Sequence, residues 1–226
     1  PDALFDWLAA SAPGRDLAWD CATGNGQAAV GLARHFARVV ATDASAAQVA
    51  EGEQRPNVEY AVAAAEASGL VDGAVDLVTV AQALHWLPLE AFYAEVVRVL
   101  RPGGMLAVWG YSLPAVSAAV DPLVRRLHGE IVGPYWPPGR GHVDAGYRTL
   151  PFPFPEVEVP VFALEQALDR RGFEGYLRTW SAVRRFVDAQ QMDPLAPVLP
   201  GIHADWPAGE VRSVRWPLFV RAGYGV

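Results

Sequence analysis

The sequence contains no lysine, and all 18 basic residues are arginine. That absence removes a Walker lysine, a Schiff-base lysine and a lysine general base at once. Cys21 is the single cysteine. Neither an intrachain disulfide nor a cysteine-built metal cluster can form, and no metal site is expected. Cys21 reads as a small buried filler at a strand end. No apolar run reaches the length of a membrane span and no signal peptide is visible. A soluble, cytoplasmic protein without a membrane partner is the expectation. Positive charge is also short, with 18 basic against 25 acidic residues and a formal net charge of −7. Binding along a phosphate backbone needs many cations, so nucleic acid is not an expected partner. A small pocket for one anion remains open.

The 226 residues, 52% of them hydrophobic, suffice for one α/β domain with its own core. Residues 2–10 form an amphipathic helix that "SAPG" stops. Short apolar strands follow at 15–20, 38–43, 57–63, 74–82 and 104–112. Helices lie between them at 26–36 and 45–53, with Ser45 as N-cap. Another runs from Pro88, in its first turn, to Leu100, where "RPGG" breaks it. Strands alternating with helices imply a doubly wound parallel sheet covered on both faces. After Ser112 the spacing changes. Residues 114–129 look helical, and 133–155 form a proline-stiffened, aromatic loop. Residues 156–166 alternate like a strand, and 171–187 read as one amphipathic helix. Residues 193–203 suggest a further helix. Residues 210–224 alternate polar and apolar, as a half-exposed antiparallel strand does.

"DCATGNG" (20–26) stands at the C-terminal end of the first strand, where ligands sit in open parallel sheets. Gly24 and Gly26 let backbone approach a ligand closely. No G-K-[ST] follows, so the turn is not a P-loop. Ala29 stands where a dinucleotide turn prefers its third glycine. Asp20 would repel a pyrophosphate and suit an ammonium group, which favours an amino-acid-bearing ligand. Asp43 follows the second strand, where a carboxylate can accept hydrogen bonds from both hydroxyls of a ribose. It can also serve as a helix-start acid.

"DCATGNG", "TD" (42–43), "AEASGLVDGAVDLVTVAQALHW" (65–86) and "VLRPGGMLAVWGY" (99–111), in this order and spacing, resemble the class I S-adenosylmethionine-dependent methyltransferases. Within them the chain looks most like the group that includes trans-aconitate methyltransferase. The resemblance covers roughly 15–112 and thins out beyond. It implies a Rossmann-like seven-stranded sheet of order 3-2-1-4-5-7-6, with strand seven antiparallel. It also implies a single methyltransferase domain over 1–226, with 112–155 as a substrate-side cap, and a lid element upstream of Pro1.

Carried over by position, the turn with Asp20, Ala22, Gly24 and Gly26 would hold the methionine part of S-adenosylmethionine. Asp43 would bind ribose, and Ala64, Ala65 and Glu66 would face adenine. Ala81 and Gln82 would line the methionine side, and Trp86 would wall the pocket. Two departures stand out. Ala22 replaces the family's first glycine, which a negative φ would accommodate. Ala64 replaces the family's frequent adenine-binding Asp. His85 is the candidate general base, or else a residue that orients a ligand or packs under the cap. Tyr111, Tyr135, Trp136, Arg140 and Arg148 are candidate substrate residues, because arginine pairs bidentately with carboxylates. The implied activity is methyl transfer to a small molecule, O-methylating a carboxylate or hydroxyl. The alternative is a non-catalytic S-adenosylmethionine-binding protein, with an NAD-dependent oxidoreductase a distant third.

Overall fold

The computed structural model describes residues 1–225. Its elements in chain order are α1 (Asp2–Ser11), β1 (Leu17–Cys21), α2 (Gln27–Leu32), β2 (Arg38–Asp43), α3 (Ala46–Ala50), β3 (Val58–Val62) and β4 (Val75–Ala81). These are followed by α4 (Leu89–Val99), β5 (Leu100–Tyr111), α5 (Val120–Arg126) and α6 (Arg140–Asp144). The chain ends with β6 (Ala163–Asp169), α7 (Arg170–Arg178), α8 (Ser181–Gln190), α9 (Leu199–Asp205) and β7 (Val211–Tyr224). The strands hydrogen-bond in the order β3-β2-β1-β4-β5-β7-β6, with β7 antiparallel, as the resemblance implied. Among the described residues no helix is long and apolar enough to cross a membrane.

The chain divides into two compact units. The first comprises residues 1–110, 142–162 and the chain from Phe219 on. Its strands β1 to β4 are parallel and in continuous register. β1 is buried along its whole length, Asp20 included, as a strand covered on both faces should be. Its start is pinned to β4: the buried Asp76 carboxylate accepts hydrogen bonds from the backbone N–H groups of Asp16 and Leu17. Arg101 neutralises that carboxylate across 2.7 Å. The helix expected to run to Leu100 ends at Val99, and Pro88 is its N-cap rather than its first-turn residue. "RPGG" is a bulge inside β5 instead of a separate turn. Leu100 pairs with Val75 and Met105 with Leu77, so 101–104 are extruded. Gly103 takes φ +74° to allow it. The bulge is also what brings Arg101 to Asp76.

The second unit comprises Tyr111–Gly141 and Ala163–Leu218. The segment 112–155 is therefore not one piece, since its residues from His142 on belong to the first unit. β6 pairs antiparallel with β7, from Ala163 opposite Pro217 to Asp169 opposite Val211. The expected strand 156–166 is continuous only from Ala163, and before it Glu156 makes one isolated bridge to Gly223. Residues 114–119 are not helical: Ala115 bridges to Arg215, and Ser117 and Asp121 cap the start of α5 instead. Residues 171–187 form two helices, α7 and α8. The break falls at Trp180, which turns extended with its side chain buried. The last short helix begins at Leu199, later than 193. This unit has its own core, built on Phe173, Leu177, Trp180, Trp206 and Trp216.

Candidate functional site

The site lies in the first unit, at the C-terminal ends of β1, β2, β3 and β4. A pocket of about 290 Å³ opens there, lined by Ala22, Asp43, Ala44, Ala63, Ala65, Ala83, Trp86 and Leu87. Its walls are small and apolar except for one carboxylate. Trp86 is 60% exposed and ends a 3-10 turn at Leu84–Trp86, and Leu87 follows it. Of the adenine-side candidates, Ala65 lines the pocket, whereas Ala64 and Glu66 are exposed and outside its lining. The Ala64 carbonyl accepts a hydrogen bond from Ala67 N.

Asp43 joins two turns. One carboxylate oxygen accepts from Gly24 N at 2.9 Å and the other from Ser45 N at 2.8 Å. An ionised carboxylate has about four acceptor sites, so roughly half of its capacity stays available. The ribose role and the helix-start role are therefore compatible, and Ser45 caps α3 as expected.

Asp20 differs from its expectation. It is fully buried, and its two oxygens accept from Thr23 Oγ1 and Thr79 Oγ1. Burial pushes its pKa up to about 6 against those hydrogen bonds. The carboxylate ties the turn to β4 from within, so it supports the loop rather than presenting itself to a ligand. Thr23 and Thr79 are the partners that sequence reading missed. Gly26 has a local reason too. It adopts φ +86° at the start of α2, and an added Cβ would lie 2.1 Å from the Tyr60 hydroxyl.

Ala22 corrects a second expectation. Its φ is +53°, in the left-handed region, not negative. The chain must turn sharply out of β1 there, and a glycine would do so without strain. Gln82, the first residue past β4, is also left-handed at φ +57°. Its backbone N–H donates to Trp109 O, while its side-chain Oε1 is buried without a hydrogen-bond partner. Gly110 makes room for that oxygen, since a Cβ there would lie 2.4 Å away. Strained, non-glycine backbone at two neighbouring strand ends is what functional loops accumulate. Ala81 is half-buried at the end of β4.

His85 is half-buried, and its Nδ1 lies 3.1 Å from the hydroxyl of the fully buried Tyr147. The imidazole also packs on Trp86 at 4.7 Å between ring centroids. Arg148 is exposed in the same unit. Tyr111, Tyr135, Trp136 and Arg140 belong to the second unit. There the Arg140 guanidinium stacks 4.3 Å over the Trp136 ring, and Tyr135 accepts from Gln190 Nε2 at 2.7 Å.

Residues 19–108 match the model of the methyltransferase domain family. A Dictyostelium discoideum protein described as a methyltransferase is 37% identical over 184 residues, covering 80% of this chain and 70% of that one. The chain belongs to the class I S-adenosylmethionine-dependent methyltransferases. A methyltransferase of Mycobacterium bovis is 36% identical over 160 residues, 70% of this chain and 60% of that one. A solved structure from Anaeromyxobacter dehalogenans, described as a type II methyltransferase, is 46% identical. It superposes with a TM-score of 0.95 over 99% of this chain and 96% of its own. Methyl transfer that depends on S-adenosylmethionine is thus the family's activity.

The methyltransferase site has the chemistry to hold that cofactor. Asp43 has lone pairs for a diol, and the alanine-lined pocket suits a flat purine.

Proposed function

We propose that this methyltransferase O-methylates a carboxylate or hydroxyl of a small molecule in the cytoplasm, the whole chain acting as one methyltransferase domain. Asp43 in the pocket lining carries the cofactor part of this reading, because its two backbone partners use only about half of its acceptor capacity. S-adenosylmethionine supplies an electrophilic methyl group on a sulfonium.

The chain's own residues bind and orient. Asp43 takes the ribose hydroxyls. Ala63, Ala65, Trp86 and Leu87 wall the base, with Ala64 and Glu66 beside them. Ala22, Gly24, Ala81 and Gln82 line the amino-acid end, and Asp20 and Gly26 hold the shape of the turn. His85, steadied by Tyr147, takes the proton when the acceptor is a hydroxyl. A carboxylate acceptor needs no base, and then His85 only orients. Tyr111, Tyr135, Trp136, Arg140 and Arg148 serve the substrate.

Titration calorimetry with S-adenosylmethionine tests the cofactor assignment, and absence of binding overturns it. A screen of small acids and phenols, read as S-adenosylhomocysteine release, tests catalysis. Tight cofactor binding with no turnover on any acceptor would favour a non-catalytic binding protein.

A further inference from the structure

His85 and Tyr147 meet inside the first unit, next to the pocket. His85 sits in the 3-10 turn, and its neighbours Ala83, Trp86 and Leu87 line the pocket. Its Nδ1 lies 3.1 Å from the Tyr147 hydroxyl, and the two ring centroids are 5.8 Å apart. Tyr147 is fully buried and left-handed, at φ +60°. A bulky residue takes that conformation only where its surroundings impose it, and such strain collects at functional sites. Three contacts impose it here. The Tyr147 N–H donates to His142 O at 2.7 Å, and its carbonyl accepts from Arg221 Nη1 at 2.8 Å. Phe219 closes edge-on against the phenol ring at 5.1 Å. Arg221 is itself held, by Leu150 O at 3.0 Å and by Glu156 at 2.6 Å. The clamp on the backbone fixes where the hydroxyl stands, and it stands on Nδ1.

One proton lies between the two groups. An imidazole nitrogen is a far stronger base than a phenol oxygen, so the hydroxyl donates and Nδ1 accepts. The proton of the neutral imidazole then sits on Nε2. In that tautomer His85 has no lone pair with which to take a proton from a methyl acceptor. Nδ1 is spent on Tyr147, and Nε2 is already protonated. We propose that Tyr147 is a positioning residue that locks this tautomer of His85, and so restricts the protein to acceptors that arrive as anions, carboxylates rather than alcohols. This narrows the acceptor class within the proposed function and rests on that reading for methyl transfer itself. A carboxylate oxygen bonds to the methyl carbon as the methyl–sulfur bond breaks. The electron pair stays on sulfur, and no proton has to leave. An alcohol must shed a proton, and His85 held in this way cannot receive it.

The first test is spectroscopic, on the whole protein with isotope-labelled histidine at mildly alkaline pH, where imidazoles are neutral. Long-range proton–nitrogen correlations report which ring nitrogen carries the proton, and His85→Gln assigns the signals. The parent should show one tautomer, with Nε2 protonated and Nδ1 not. Tyr147→Phe removes one oxygen, keeps the ring, and should release a mixture of both tautomers. A protonated Nδ1 in the parent, or an unchanged spectrum in Tyr147→Phe, overturns the proposal. The second test pairs benzoate with benzyl alcohol, cinnamate with cinnamyl alcohol and succinate with butanediol, read as S-adenosylhomocysteine release. Acids should turn over at least tenfold faster than their alcohols, with the ratio narrowing in Tyr147→Phe. An alcohol methylated as fast as its acid overturns the restriction. S-adenosylmethionine affinity, measured by calorimetry on the same samples, separates the failures. Intact cofactor binding with no turnover of any pair overturns the methyl-transfer reading and the restriction with it, while the spectra still decide the Tyr147 assignment.

Discussion

Asp43 and Ala22 line the same pocket, one through its charge and the other through its backbone. Asp43→Ala removes the proposed ribose acceptor and also the clamp on Gly24 N and Ser45 N. Calorimetry on this variant should show S-adenosylmethionine bound more than tenfold more weakly, a loss above about 1.4 kcal/mol. Unchanged affinity would remove Asp43 from the site. Ala22 at φ +53° carries left-handed strain of about 1–2 kcal/mol. Ala22→Gly relieves it but loosens the unfolded chain by about 0.4–1 kcal/mol. The variant should therefore be as stable as the parent, or up to about 1.6 kcal/mol more stable in urea titrations. Clear destabilisation would mean that the alanine methyl is needed for packing. Asp20 was legible as an acid at a strand end. That it faces Thr23 and Thr79 was not, because a sequence does not show which way a strand-terminal side chain turns once both sheet faces are covered.

β1 and α4 each carry a carboxylate with a displaced pKa, Asp20 raised and Glu95 lowered. Burial raises the Asp20 pKa to about 6, so the native state binds a proton that the unfolded chain releases near 4. Stability from this group is present below about pH 4 and is lost as pH rises to about 6. The full effect is on the order of 2–3 kcal/mol at pH 7. Asp20→Asn should flatten the stability-pH curve between about 4 and 6, measured by urea unfolding. An unchanged slope would show that Asp20 does not titrate there. On α4, Glu95 is held down to about 2 by Arg98 and Ser68. Its contribution is present above about pH 4.5 and lost as pH falls toward 2. Glu95→Gln should cost about 2 kcal/mol at pH 7 and erase that acid-limb dependence. Element types in the first half of the chain were legible because apolar runs of strand length alternate with amphipathic ones. Element limits failed where a tertiary demand overrode local pattern: the β5 bulge serves Arg101 and Asp76, and the α7–α8 break serves the burial of Trp180.

Binding to the folded chain alone must raise the stability of the whole molecule. At 100 times its dissociation constant, S-adenosylhomocysteine should contribute about 2.7 kcal/mol. For a chain of this length that is a rise of roughly 5–10 °C in Tm by calorimetry. No shift would mean that the product does not bind the native state. The same measurement on Asp43→Ala should show a much smaller rise.

The sequence by itself determined the class of fold and pointed to the position of the candidate site. Alternating strands and helices leave few topologies for a chain of right-handed crossovers, and the ligand end of such a sheet is always its C-terminal edge. It also marked Asp43, Gly24, Gln82 and Trp86 by position. Only the tertiary structure decided what those residues do with their atoms. Asp20 turned inward, Ala22 went left-handed, Gln82 kept a buried acceptor unpaired, and Tyr176 came to pack on the distant Trp216. Side-chain direction and long-range pairing depend on packing between segments far apart in the chain, and local pattern carries no record of it.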